Sequence, residues 1–136
     1  MSAEEPGGDE SAVRQALSDL HDALDRRDVE AIRALCRDDV VFFGSAEGEE
    51  ATDRDQIAAM LTTLAPATAG SGFALEWTSV GVDVEGDVAF LTAIGTATFT
   101  SSRGAESSRY RLTGALVRDG DRWLWRCHHG SEPAAL

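Results

Sequence analysis

Positive charge is scarce in this sequence: 12 arginine and lysine residues stand against 24 aspartates and glutamates, a net charge of −12. A field of that sign repels phosphate backbones and anionic lipid, so neither nucleic acid nor a membrane is an expected partner. Cysteine is nearly absent. Cys36 falls on a helical stretch and Cys127 on a strand-like one, and both read as reduced core residues rather than a disulfide. No apolar run approaches a membrane span and no secretory signature is present, which leads to the expectation of a cytoplasmic protein. Whole chemistries lack their motifs: there is no His-x-His, Cys-x-x-Cys or Ser-His-Asp pattern, no phosphate-binding glycine loop and no dinucleotide fingerprint. The adjacent pair His128-His129 does not change this, because neighbouring strand residues point to opposite faces and cannot easily share one ion. No metal and no cofactor are expected.

What is present is one domain's worth of chain: 136 residues, 43% hydrophobic, enough to close a core without covalent staples. Residues 1–10, MSAEEPGGDE, offer nothing to bury and read as a disordered acidic tail, leaving 11–136 as the domain. From Ser11, a candidate N-cap, the spacing of Val13, Ala16, Leu17, Leu20 and Leu24 predicts a one-faced helix, with His21 on the flank of its stripe. Asp28 caps a second helix over 29–36, and Val40 to Gly44 reads as a short strand followed by a surface loop, SAEGEEAT. Asp53 and Gln56 have capping-box spacing and open a third helix, with Ile57, Met60, Leu61 and Leu64 inward and an end near Pro66. Four long strands follow. With an even-length loop at Glu85-Gly86, Phe73, Leu75 and Trp77 share a face with Phe90, Ile94 and Thr96. Helix, helix, strand, helix, then a four-stranded meander is an α+β pattern, with helices on one face of an antiparallel sheet.

The last two strands carry the most information. A two-residue Asp119-Gly120 turn pairs Leu116 with Trp123, Gly114 with Trp125, Leu112 with Cys127 and Tyr110 with His129. One face is then aromatic and ends in two polar tips, Tyr110 and His129, while His128 faces outward. A neutral imidazole near a phenol suits general acid–base work and oxyanion stabilisation. The same two residues fit equally a structural closure of the last strand. Glu49 and Glu76 are carboxylates that an apolar cavity would make basic, and that a solvated surface would leave without a role.

Several phrases resemble the nuclear transport factor 2-like superfamily in its SnoaL-like branch: LHDALDRRDVEAIRALCRDDVVFFGS (residues 20–45), RLT (111–113), Trp123, and HHGS (128–131). The spacing of Thr113, Trp123, His129 and Ser131 also resembles the association domain of calcium/calmodulin-dependent protein kinase. The likeness runs from Ser11 to Pro133. It implies a cone, in which three helices and a strongly curved antiparallel sheet enclose a pocket, and a homodimer through the outer sheet face. Among the candidate ligand-binding residues His21, Phe42, Glu49, Trp77, Leu112 and Trp125, Glu49 stands where SnoaL-like sequences often have a glutamate; the candidate catalytic pair is His129 and Tyr110. Ketosteroid isomerases carry a base aspartate at the place of Gly44, and the kinase domain has an arginine at the place of Gly114, so neither chemistry transfers. The expected function is binding of a small molecule by a non-catalytic ligand-binding or dimerisation module. The alternative is an isomerase, cyclase or hydrolyase of secondary metabolism using the His/Tyr pair.

Overall fold

The computed structural model describes residues 8–68 and 72–134, and side chains outside 62–68. Helix α1 (Gly8–Arg26) buries Val13, Ala16, Leu17, Leu20 and Ala23, the stripe set by its sequence period. It starts three residues before Ser11, so residues 8–10 belong to the helix and not to a tail; the remainder of that expected tail, residues 1–7, lies outside the described residues. Asp9 ties this first turn to the sheet. Its carboxylate takes two hydrogen bonds from the Arg118 guanidinium at 3.0 and 2.9 Å, and Arg118 also lies 4.5 Å over the Trp123 ring. At the other end Arg27 turns to φ 53°, and the Asp28 amide closes on the Ala23 carbonyl at 2.9 Å.

Asp28 then caps α2 (Val29–Leu35), accepting from the Ala31 amide at 3.2 Å. Strand β1 (Cys36–Phe43) starts at once, earlier than expected. The loop after it contains a two-residue strand, β2 (Glu50–Ala51), which pairs with Phe42 and Phe43. Helix α3 (Arg54–Thr68) opens on Asp53, whose side chain accepts from the Gln56 amide at 2.8 Å, while Gln56 reaches back to the Thr52 amide at 2.7 Å. Ile57 and Met60 are buried, and Leu64 falls outside the described side chains. The meander is β3 (Gly72–Glu85), β4 (Val88–Ser101), β5 (Gly104–Asp119) and β6 (Arg122–Ser131).

The sheet order is β2-β1-β6-β5-β4-β3. The sheet is mixed rather than wholly antiparallel, because β1 runs parallel to β6. It is not closed, since β2 and β3 are its edges. The helices cover one face, where Trp125, Leu112, Leu116 and Leu91 are all but inaccessible. Trp125 donates from Nε1 to the Ala16 carbonyl at 3.2 Å, tying the sheet to α1.

Two bulges correct the expected registers. In β3 the ladder with β4 skips Thr78, so Trp77 pairs with Gly95 but Ser79 with Ile94. Phe73, Leu75 and Trp77 therefore share the inner face with Phe99, Ala97 and Gly95, and Phe90 and Ile94 turn outward. The Thr78 hydroxyl donates to the Ile94 carbonyl at 2.9 Å and closes the bulge. In β6 the ladder skips Arg126: Leu116 pairs with Trp125, but Ala115 pairs with Cys127 and Gly114 with His128. The turn of this hairpin is Gly120-Asp121, not Asp119-Gly120, with Gly120 alone at positive φ (65°), the arrangement of a II′ turn. That change moves the pairing by two and preserves the faces. The bulge moves it by one more and exchanges them.

Candidate binding site

A cavity of about 660 Å³ opens between α1, α3 and the inner face of the sheet. Its wall is a chain of rings in which successive members come from different strands or helices. Phe99 stands 4.7 Å from Phe73, Phe73 6.4 Å from Tyr110, Tyr110 6.2 Å from Trp77, and Trp77 5.6 Å from His21. His21 meets His128 edge-on at 5.4 Å, and Phe42 stacks on His128 at 4.5 Å.

The Arg126 bulge decides which histidine enters. His128 is 2% exposed and lines the cavity, whereas His129 is exposed on the outer face, against Phe43. The expected pairing of Tyr110 with His129 is thus corrected: Thr113 is the partner of His129, and Tyr110 sits on the inner face near Gly130. Gly130 is the signal in the sequence that pointed to this. A Cβ there would lie 1.9 Å from the Tyr110 hydroxyl, so Gly130, and by alternation His128, must share the face of Tyr110. Gly114 does lie against Trp125 as expected, a Cβ there coming within 2.7 Å of the indole, although its ladder partner is His128. Of the other expected pocket residues, His21, Phe42, Glu49 and Trp77 line the cavity. Leu112 and Trp125 do not line it; both are buried in the core, Trp125 bonded to α1. Phe73, Phe99 and Ser45 also line the cavity; Phe73 shares the face of Trp77 as expected, and the Thr78 bulge pairs it with Phe99, which the expected register left on the other face.

The polar groups fall in two clusters. His21 and His128 bond to each other, Nε2 to Nε2, at 3.1 Å, and neither Nδ1 has a hydrogen-bond partner among the described residues. Burial pushes His21 down to about 4 and His128 well below its ordinary value, the latter further depressed by the neighbouring His21. Both rings are neutral at pH 7, so one donates and the other accepts. The second cluster surrounds Tyr110. Burial first, then the charges of Glu49 and Glu132, raise the phenol to about 12, while a hydrogen bond with Ser45 acts in the opposite sense. Ser45 in turn donates to Glu132 at 3.1 Å.

Glu49 folds back over Gly44. Its Oε1 accepts from the Ala46 amide at 2.7 Å, and a Cβ on Gly44 would lie 2.7 Å from that same oxygen. The carboxylate therefore occupies the space that a side chain at position 44 would need. Among the described residues no cluster of three or more histidine, cysteine or acidic side chains is arranged to hold a metal ion. Cys36 and Cys127 are free thiols, and burial pushes Cys36 up to about 12.

Three helices on a curved, open six-stranded sheet around an aromatic cavity define the nuclear transport factor 2-like fold. The chain belongs to the SnoaL-like domain family, whose profile matches residues 13–135. It is similar in structure to an NTF2-like protein of unknown function from Pseudomonas putida (21% identity, 98% of this chain and 92% of that one, TM-score 0.80). A ketosteroid isomerase-like protein from Erwinia carotovora atroseptica matches at 20% identity over 96% and 100% of the chains, TM-score 0.75. A protein from Catenulispora acidiphila in complex with S-DNPA matches at 18% identity over 93% and 95%, TM-score 0.76. At these identities the likeness is one of fold. A search of curated protein sequences finds no significant match.

Proposed function

We propose that this protein binds one small, largely apolar molecule between α1 and the sheet, as a non-catalytic homodimeric module. The carrying observation is the continuous ring wall from Phe99 to Phe42 around a cavity of about 660 Å³, a size that suits a drug-sized ligand. The two histidines are spent on each other and uncharged, so they favour a neutral hydrogen-bonding role over that of a base. Trp77 lines the cavity, so an aromatic ligand that enters it should quench tryptophan fluorescence saturably, and Trp77→Leu should remove most of that signal. A linear, non-saturating response, or quenching unchanged in Trp77→Leu, would place binding elsewhere. The homodimer reading is supported by Phe90 and Ile94, 49% and 38% exposed on the outer sheet face.

A second reading, an isomerase, cyclase or hydrolyase, is favoured by the proximity of Glu49 to Tyr110. A carboxylate to move a proton and a buried phenol to donate to a developing oxyanion are the two parts such chemistry needs. In that reading His129 has no role, and His21 and His128 take its place. The test is proton exchange: heavy water should label a ketone substrate at its α-carbon, and Glu49→Gln and Tyr110→Phe should each slow the exchange by roughly 10²-fold or more. Equal rates in all three proteins would eliminate it.

A further inference from the structure

The cavity's charges narrow the class of ligand. Asp19, Asp22 and Asp25, one turn apart along α1, and Glu49 from beyond β1 all line it, and Arg27 is the basic lining residue that opposes them. We propose that its ligand is an organic cation, an aromatic or alicyclic amine seated on the ring wall with its ammonium group near Glu49. This rests on the small-molecule reading of the same cavity.

Three independent features carry it. Trp77, Tyr110 and Phe73 line the cavity, and aromatic rings offer an ammonium group the negative quadrupole potential of their faces. Glu49 is half-buried and pinned by the Ala46 amide, so its charge is fixed in place and less screened than the solvent-exposed aspartates at the mouth. The aspartates act at longer range, raising the local concentration of cations at the entrance and repelling anions, in line with a net charge of −12 for the whole chain. The third feature is the histidine pair. His128, 2% exposed, and His21 line the cavity as uncharged rings bonded to each other, so they bring no competing positive charge. Tyr110 is likewise held as a neutral phenol. Among the described lining residues, an anionic ligand would meet the carboxylates of Asp19, Asp22, Asp25 and Glu49 and the guanidinium of Arg27.

The test uses three probes of one shape on the full chain at pH 7: anthrylmethylamine, anthrylmethanol and anthracene carboxylate, followed by calorimetry or fluorescence. The amine should bind at least about tenfold more tightly than the alcohol, the difference expected for one charge-assisted contact over a neutral one. The carboxylate should bind most weakly. Glu49→Gln keeps an oxygen for the Ala46 amide and should bring the amine down to the level of the alcohol. An alcohol as tight as the amine, a carboxylate that ranks first, or an amine preference that survives Glu49→Gln each overturns the proposal. The failures are distinguishable: an alcohol that binds without an amine preference leaves the pocket reading standing, whereas no binding by any probe overturns both.

Discussion

His21 and His128 show how far a single side chain depends on its surroundings. In the unfolded chain both titrate near 6.5, but in the folded state burial holds His21 down to about 4 and His128 well below its ordinary value. Between these values the unfolded state binds more protons than the native one, so stability is full above about pH 6.5 and is lost as pH falls toward 4. Each histidine contributes a slope of at most about 1.4 kcal/mol per pH unit in that window. The melting temperature should fall through this range, and the double variant His21→Gln/His128→Gln should flatten the fall. A wild-type profile that is level from pH 6.5 to 4 would mean the rings are not held neutral.

At the scale of elements, the helices were legible and the ladders were legible only in part. The stripe of α1, the Asp28 cap and the Asp53/Gln56 box all stand where their spacing puts them, because each depends on residues within about a turn of one another. The start of α1 was misread because composition alone made residues 8–10 a tail. Asp9 is held by Arg118 of β5, 109 residues away, and no local pattern encodes that. Deleting residues 1–10 should therefore lower the melting temperature measurably, because the ion pair and a helical turn are lost together. Restoring residues 8–10 should recover it. An unchanged melting temperature on deleting all ten would show that the Asp9–Arg118 contact contributes nothing. The strands failed differently: Thr78 and Arg126 each add one unpaired residue, and each addition moves every later side chain to the opposite face.

For the whole molecule, the same two bulges separate the cavity from the outer face. The Thr78 bulge puts Phe73 and Trp77 on the face of Phe99, the Arg126 bulge puts His128 there too, and Phe90 and Ile94 of β4 lie on the opposite face. The outward set, with Thr113, Val117 and Leu124 beside it, is the surface on which a second copy would dock. A stable dimer requires burial on the order of 1,200 Å² or more. Light scattering at micromolar concentration should report twice the chain mass, and Phe90→Glu should return it to the monomer by setting a charge in the buried centre. Phe90→Glu that stays dimeric would move the interface off this face.

The order of elements, the apolar stripe of α1, the caps and the identity of a cavity aromatic such as Trp77 were all present in the sequence, because periodicity and capping are short-range physics. Gly130 even carried the one trace of the true register, as the empty place that the Tyr110 hydroxyl requires. What the chain did not declare locally was where its strands slip. A bulge is chosen by how two distant strands fit each other, through contacts such as Thr78 with the Ile94 carbonyl and Arg126 with the Asp39 carbonyl at 3.0 Å. Only the tertiary structure therefore decided that His128 and not His129 meets His21, and that the carboxylate of Glu49 fills the space over Gly44.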